Sequence, residues 1–436
     1  MATVVFMPFH WAASLSSTFA LARRLRARGH RVLYLGIPDV AERIQLQGLD
    51  FLPIFAQIFP RGALDEQNAQ EAQGRSRGLA GFRERVLGTC ELLEQGEIER
   101  ALGTLRADLF LVASETPWVG IGAWKTGAPV ITFACSLLSA WDPAVPPFAT
   151  AAVPGSGPVS GLRTRLAWRR TFLLQRLLAP LRRQVFADVE AFARRCGYPV
   201  AAIDFRVETW PLLRLPTLVF CPPDFDFPRR RPPQGLTYAE PSIDASRRDG
   251  DLPWERLRDD RPLIYFALGS VAPIKYARRV TAVFQAFLDA MDERPHWQGV
   301  LAIGRYVAES ALRCPPNVLV RPEVPQLEVL RRASLMVTHG GFNSVKECIF
   351  YGVPMVVLPM FYDQPGNAAR VVHHGLGVMG SFARASASGL GRWMDRVMGD
   401  PRYKRCVQRM SYIFHDWETR SPGVGLVEQM AADTES

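Results

Sequence analysis

The segment from Val324 to Asn367 constrains the fold more than any other part of the chain. It reads VPQLEVLRRASLMVTHGGFNSVKECIFYGVPMVVLPMFYDQPGN, which is a buried-strand pattern, a His-Gly-Gly turn, a helical stretch, a second apolar strand and an Asp-Gln pair. A strand–loop–helix–strand unit of this kind places polar side chains at the carboxyl ends of parallel strands, where open α/β sheets bind ligands. The sequence therefore predicts a ligand site in this half of the chain.

The residue types in this unit fit a nucleotide sugar. The glycines after His339 let backbone N–H groups at a helix N-terminus approach an anion, and the helix dipole favours negative charge there. Glu347, further along the helix, can accept hydrogen bonds from hydroxyl groups, and Asp363 with Gln364 offers a second set of acceptors. A single histidine or glutamate is more often structural, but four such residues in register favour a site that holds a diphosphate between two groups of hydroxyls.

The same segment resembles the donor-binding box of glycosyltransferase family 1, the UDP-glycosyltransferases, and its ending DQPGNAARV is similar to that of bacterial carotenoid and macrolide enzymes. The resemblance implies an α/β fold with two Rossmann-like domains facing a cleft, called GT-B. It implies that His339 contacts the donor diphosphate, that Glu347 binds the ribose hydroxyls, and that Asp363 with Gln364 binds the sugar. The donor-binding positions expected on this basis are Ser270, Val324, Gln326, His339, Gly341, Asn343, Ser344, Glu347, Asp363 and Gln364.

Two features depart from a simple donor site. In many family members a tryptophan stacks on the nucleotide base, and Glu323 occupies its position here. Glutamate cannot stack on a pyrimidine, so the sequence predicts a nucleotide sugar but defines its base less well. Asp224-Phe225-Asp226 has the D-x-D spacing by which other glycosyltransferases hold a divalent metal. It stands between prolines with no further ligand nearby, and two oxygen ligands alone make a weak site. We expect a turn there, and neither a metal nor any cofactor besides the nucleotide-sugar co-substrate.

The 436 residues are too many for one compact domain. We expect an acceptor-binding domain at 1–220, a Pro- and Arg-rich linker at 221–261, a donor-binding domain at 262–400 and helices packing back across the cleft at 401–436. Seven scattered cysteines without a C-x-x-C pair are typical of reduced thiols in a cytoplasmic protein. The N-terminus lacks the order of a signal peptide, and no apolar run is long enough to span a membrane.

The net charge of +10 comes largely from arginine. No recognition motif accompanies it, so we expect no nucleic-acid partner, and the phosphates of the donor or an anionic membrane explain the charge as well. The stretch from Arg163 to Arg183 holds seven arginines and no acid, and it is amphipathic as a helix. It can lie peripherally on the inner face of a membrane. The favoured interpretation is a helix packed on the first domain with snorkelling arginines. The sequence does not predict an oligomeric state.

The acceptor needs deprotonation, and here the family pattern fails. The histidine base of the family falls at Ser14, and the nearest histidine is His10 in the same loop, FHWAAS. Glu115, after the strand LFLVAS, is the candidate for the acid that orients the base. Three hypotheses follow: His10 is the base in a displaced loop; the acceptor is acidic or is oriented by Ser14 and Glu115 without a strong base; or catalysis is lost.

The expected activity is transfer of a hexose, glucose from UDP-glucose, to a hydroxyl of a lipophilic small molecule, with inversion of the donor's configuration as family membership implies. A dTDP-deoxysugar is the alternative donor. Trp118, Trp141 and the apolar loop SLLSAWDPAVPPF supply a weaker indication of a lipophilic acceptor. The competing function is that of a catalytically impaired auxiliary protein that binds a nucleotide sugar within a biosynthetic pathway.

Overall fold

The computed structural model describes every residue except 76, 139, 155–157, 178–179, 209, 248–249, 270–271 and 434–436. Two parallel sheets organise the described part of the chain. None of the described helices is both long and apolar enough to cross a membrane.

The first sheet is built from short apolar runs such as LFLVA and VITFA, whose residues are all buried. Near-continuous apolar strands are typical of parallel sheets that are covered on both faces. The strands of the first half of the chain are β1 (Thr3–Met7), β2 (Arg31–Gly36), β3 (Asp50–Pro53), β4 (Leu109–Ala113), β5 (Val130–Ala134), β6 (Ile203–Asp204), β7 (Leu212–Leu213), β8 (Thr217–Val219) and β9 (Leu236–Tyr238). Seven of them form one sheet in the order β3-β2-β1-β4-β5-β8-β9, while β6 and β7 make a small antiparallel pair.

Helices connect these strands and cover the sheet. They are α1 (Ala12–Ser16), α2 (Phe19–Ala27), α3 (Ala41–Gln45), α4 (Ala63–Ala72), α5 (Gly78–Glu94), α6 (Glu97–Leu102), α7 (Pro117–Lys125), α8 (Pro158–Leu177) and α9 (Pro180–Arg195). In α2, Phe19, Ala22 and Leu25 are buried at a spacing of three residues, and the helix carries arginines in its last turn, which the helix dipole favours. Strand β9 lies inside the segment predicted as the linker and extends the first sheet by pairing with β8.

The second half of the chain repeats this architecture without repeating the sequence. Its strands are β10 (Leu263–Ala267), β11 (Gln298–Ala302), β12 (Val318–Arg321), β13 (Ala333–Thr338), β14 (Met355–Val357) and β15 (Gly377–Met379). Its helices are α10 (Ala272–Lys275), α11 (Ala277–Asp292), α12 (Gln326–Arg332), α13 (Phe342–Phe350), α14 (Gln364–His373) and α15 (Ala387–Gly399). The sheet is parallel throughout, in the order β12-β11-β10-β13-β14-β15.

The last two helices join the halves of the protein. They are α16 (Pro401–Arg420) and α17 (Pro422–Ala432). Phe414 of α16 belongs to the apolar core of the second domain, whereas Val424 and Val427 of α17 belong to the core of the first. The C-terminal segment thus returns to the N-terminal domain, as expected for GT-B.

Strand order reverses once in each sheet, between β1 and β4 and between β10 and β13. At such switch points the loops after neighbouring strands diverge and leave a crevice at the carboxyl ends. The fold therefore predicts two crevices, one in each half of the chain. Most of the predicted site residues follow these strands, whereas Val324 and Gln326 follow β12, and Asp363 and Gln364 follow β14.

Candidate active site

His339 follows β13 and lies between two glycine backbones. β10 pairs with β13, with Ala267 opposite Thr338, so the loops after these two strands are adjacent. A Cβ built on Gly269 would lie 2.8 Å from the His339 ring, and one built on Gly341 would lie 2.8 Å from its Cε1 atom. Real Cβ atoms essentially never come under 3.0 Å. A side chain at either position would therefore displace the imidazole.

The His339 ring is uncharged near neutral pH. Burial lowers its pKa to about 4. Its Nδ1 atom is buried and has no hydrogen-bond partner among the described residues. A neutral imidazole carries one N–H, so this ring offers a diphosphate a directional hydrogen bond rather than a positive charge. Directly beside it, Gly341 forms the N-cap of α13, whose dipole favours an anion.

Glu347 lies in a hydrogen-bonded network on the other side of this helix start. Its Oε1 accepts a hydrogen bond of 2.7 Å from Arg247, and its Oε2 accepts one from Nε2 of Gln326. Gln326 in turn donates to Ser344 at 3.4 Å and accepts from the hydroxyl of Tyr265 at 3.0 Å. Three of the predicted donor residues thus meet, and the network holds the Glu347 carboxylate in one position.

Asp363 and Gln364 begin α14, next to the end of β14. The Oδ2 atom of Asp363 accepts hydrogen bonds from Ser136 of the first domain at 2.7 Å and from Asn367 at 2.9 Å. Burial raises the pKa of Asp363, although both hydrogen bonds oppose this change. Gln364 accepts from the amide of Met360 with its Oε1 atom at 2.9 Å.

Asn343 connects the donor helix to the first domain. Its Nδ2 donates to the carbonyl of Ala13 at 2.8 Å and to the hydroxyl of Ser16 at 3.0 Å. Its buried Oδ1 has no partner among the described residues. A second junction lies at Gly366, whose amide donates to the carbonyl of Phe148 at 2.9 Å. A Cβ on this glycine would lie 2.7 Å from the Phe148 ring, so the two backbones meet without room for a side chain.

Three further donor-side positions complete the comparison. Ser270 lies outside the described residues. Val324 is buried in the core of the second domain. Glu323, at the position of the stacking tryptophan, is exposed and forms an ion pair of 2.8 Å with Arg305.

In the first domain, Ser14 and Glu115 converge on Cys135, which directly follows β5. Glu115 accepts hydrogen bonds from the Cys135 amide at 3.1 Å and from its thiol at 3.4 Å. It also accepts one from Ser114 at 3.3 Å. Ser14 hydrogen-bonds to the Cys135 side chain and accepts from the amide of Phe9 at 3.0 Å. Burial raises the pKa of Glu115, and Ser14 is only 1% exposed.

His10 has different surroundings. Its ring centroid lies 4.1 Å from that of Phe9 and 6.3 Å from that of Phe59. Burial, helped by the charge of Arg85, lowers the pKa of His10 to about 4. No hydrogen bond joins it to Glu115 within the described residues, so the structure does not bring these two candidates together.

The D-x-D segment is a turn whose two acids differ sharply. Asp224 is exposed, whereas Asp226 is buried and accepts hydrogen bonds from Arg370 at 3.0 Å and from Tyr238 at 2.7 Å. Arg229 forms a second ion pair with Asp226 at 3.3 Å. These cations lower the pKa of Asp226 despite its burial. The described residues contain no group of three acids, histidines or cysteines that could hold a metal.

The two predicted acceptor-side tryptophans also differ. Trp118 is buried and packs edge-on against Phe82, with the ring centroids 5.9 Å apart. Trp141 lines an open groove of about 470 Å³ beside α8, together with Trp168 and four arginines. Trp118 is therefore a packing residue, and only Trp141 faces open space.

Sequence reasoning missed several members of the site. Ser136 and Cys135 follow β5, so the rule that ligands bind at carboxyl ends of parallel strands would have indicated them. Asn367 closes the DQPGN motif itself. No such sequence signal marks Arg247 and Tyr265. Arg247 lies in the predicted linker and Tyr265 within β10, and both approach Glu347 only in the folded chain.

These features define a protein with the GT-B fold, whose candidate nucleotide-sugar site lies in the second half of the chain. A family model described as UDP-glucoronosyl and UDP-glucosyl transferase matches residues 253–421. The match covers about two fifths of the chain and includes all the candidate donor-binding positions, which supports a family 1 glycosyltransferase.

Relatives named as glycosyltransferases align along most of the chain, and a solved structure shares its fold. The demethyllactenocin mycarosyltransferase of Streptomyces fradiae is 27% identical, with 94% of this chain and 82% of that protein aligned. The zeaxanthin glucosyltransferase of Pantoea ananas is 26% identical over 90% of this chain and 87% of that protein. The solved structure of the glycotransferase of kitacinnamycin superposes with a TM-score of 0.71 at 23% identity, covering 98% of each chain.

Proposed function

We propose that the protein transfers glucose from UDP-glucose to a hydroxyl group of a lipophilic small molecule and inverts the anomeric configuration. One observation carries the proposal: His339 follows β13 and the start of α14 follows β14, its neighbour in the second sheet, while Glu347 on the helix after His339 is joined to Gln326. These three positions suit the diphosphate, the hexose and the ribose of one nucleotide sugar, in which the diphosphate lies between the two sugars.

In the proposed reaction the acceptor oxygen attacks the anomeric carbon and the bond from that carbon to the diphosphate breaks. The diphosphate gains negative charge, which the His339 N–H, the amides at the start of α13 and the helix dipole stabilise. Asp363 and Gln364 hold the sugar hydroxyls and thereby orient the reacting carbon. Inversion follows from a single displacement, as in the family.

For the acceptor proton we favour Glu115 over His10. Burial raises the pKa of Glu115 toward the pH at which a general base works best, and Cys135 fixes its carboxylate through two hydrogen bonds. The lowered pKa of His10 makes it a weaker base. Because Ser14 is buried, its proposed role is to position the loop and Cys135, without touching the acceptor.

The proposal also specifies which sugar and which base the donor carries. An Asp-Gln pair at the start of α14 commonly accompanies glucose in the family, and one relative is named as a glucosyltransferase. Another is named as a mycarosyltransferase, so a dTDP-deoxysugar is the competing donor. The names of both relatives support a natural-product acceptor. The seven free cysteines support a cytoplasmic location.

The test is a transfer assay with UDP-glucose and dTDP-glucose over a panel of lipophilic alcohols, followed by release of the nucleoside diphosphate and by NMR of the product's anomeric proton. A β-glucoside formed faster from UDP-glucose supports the proposal. Preference for the thymidine donor, an α-product, or binding of donor without transfer contradicts it, and the last result indicates an auxiliary protein.

The same assay separates the base candidates. Glu115→Gln should lower kcat by about 10²–10⁴-fold, the range of general-base catalysis, with little change in donor KM. Cys135→Ala removes a hydrogen bond that lowers the pKa of Glu115, so the acid limb of the pH–rate profile should move to higher pH. If His10→Ala removes activity while Glu115→Gln leaves it intact, the assignment is wrong.

A further inference from the structure

Helix α8 presents a stripe of leucines to solvent. Leu162, Leu166, Leu173 and Leu177 are between 52% and 69% exposed. At about 100° per residue they fall within roughly 60° of the helix circumference. Singly exposed leucines are common on protein surfaces, but four on one side of a helix form an apolar stripe, here in two pairs with Arg169 between them.

The opposite face of α8 holds the helix on the protein. Thr164, Trp168 and Thr171 are buried, and the Trp168 indole donates to the carbonyl of Val145 at 2.8 Å. The helix therefore packs on the protein through these residues and not through its leucines. The leucine stripe instead points away from it and is part of the outer surface.

Positive charge surrounds this stripe. Arg163, Arg165, Arg169 and Arg170 are exposed. No acid occurs in the sequence between Asp142 and Asp188. Both of these acids are engaged: Asp142 accepts from the amide of Arg231, and Asp188 pairs with an arginine of α5.

The groove of about 470 Å³ beside α8 continues the basic surface. Arg165 and Arg169 line it together with Arg230, Arg231 and the rings of Trp141, Trp168 and Phe172. Arginine beside tryptophan at the edge of an apolar strip suits the boundary between lipid headgroups and acyl chains.

We propose that the outer face of α8 docks on an anionic lipid bilayer, with the leucine stripe at the headgroup boundary and the flanking arginines on lipid phosphates. The charge complementarity favours a bilayer over a second copy of the chain, because two copies would bring these arginines together. Through Val145 the helix is joined to the loop that ends at Phe148 and contacts α14. On the proposed function, a lipophilic acceptor in the membrane would then lie beside the acceptor half of the cleft.

The experiment is co-sedimentation of the full chain with vesicles of phosphatidylcholine alone and of phosphatidylcholine with phosphatidylglycerol at low and high salt. Binding should be confined to anionic vesicles and should weaken with salt. Leu166→Gln/Leu173→Gln/Leu177→Gln should lower partitioning at least tenfold. Arg163→Gln/Arg165→Gln/Arg170→Gln should lower it by about fivefold per arginine.

Matched controls change exposed residues elsewhere. Leu46→Gln/Leu87→Gln/Tyr412→Gln removes three exposed apolar side chains, and Arg43→Gln/Arg106→Gln/Arg409→Gln removes three exposed arginines. Both controls should bind vesicles like the wild type. All variants should retain nucleoside diphosphate release with a water-soluble acceptor, which keeps this test independent of the proposed reaction.

Three results would overturn the proposal. They are absence of wild-type binding, equal binding to neutral and anionic vesicles, and leucine variants that bind like their control. Sedimentation velocity addresses the competing occupant: if the leucine variants convert a dimer into a monomer, the face is an interface between copies of this chain.

Discussion

Gly341→Ala is the sharpest test of how His339 is held. The backbone at Gly341 has φ −59° and ψ 139°, which alanine adopts without strain. Its Cβ would lie 2.8 Å from Cε1 of His339 and closer still to Nε2, whereas ordinary contact begins at 3.4 Å. The imidazole must therefore move by about 1 Å, and a misplacement of that size costs about 10²-fold in rate.

We expect kcat/KM for the donor to fall about 100-fold in Gly341→Ala, which corresponds to about 2.7 kcal/mol of transition-state stabilisation. The assay is steady-state release of the nucleoside diphosphate, with donor affinity measured by calorimetry. Gly425→Ala is the matched control, because a Cβ there meets nothing within 4 Å. Its kinetics should equal those of the wild type.

A double-mutant cycle separates the clash from any general damage. In a His339→Ala background the ring is absent, so adding Gly341→Ala should change kcat/KM by less than about twofold. An unchanged rate in the single variant, or the same 100-fold loss on top of His339→Ala, would refute the reasoning.

Three other predictions concern buried charge, and a fourth concerns dependence on a metal. Ser136→Ala removes a hydrogen bond that lowers the pKa of Asp363, so the acid limb of the pH–rate profile should move to higher pH; an unshifted limb contradicts this. Asp226→Asn breaks the buried ion pairs and should lower the free energy of unfolding, measured with urea, by about 3–5 kcal/mol. Asp224→Asn, at an exposed position, should change it little. Since the pKa of Asp226 is lowered, its contribution to stability is present above pH 4 and is lost as pH falls through the folded pKa. EDTA should leave activity unchanged. Burial lowers the pKa of Lys346 from 10.5 to about 8. Between pH 8 and 10.5 this lysine is protonated in the unfolded chain but not in the folded one, so the free energy of unfolding should increase as the pH rises. Lys346→Met should abolish that increase.

Most of the fold and of the candidate donor site could be predicted from local sequence patterns. Apolar runs such as LFLVA and a motif of fixed spacing need only nearby residues, so the parallel sheets and the residues after β13 and β14 were predictable. The start of α13 and the start of α14 are both positioned by strands that precede them directly.

Long-range pairing explains what the sequence could not predict. Asp226 meets Arg370, which lies 144 residues further along the chain, so the role of the D-x-D segment was visible only in the fold. The periodicity of α8 indicates an apolar stripe but not which way it faces, and the packing of Trp168 decides that. Strand β9 is three residues long and stands among prolines, which hides it from any pattern of alternation.

The contact between Gly366 and Phe148 has a consequence for engineering. Domain grafts between such enzymes are natural to attempt at the linker, since each half has its own sheet. Here a graft must also take account of Phe148 and Ser136, which contact the second half of the chain. A second half that carries a side chain at position 366 would collide with Phe148 of the recipient. A working hybrid should therefore take Ser136 and Phe148 from the same parent as the second half, because both contact the start of α14.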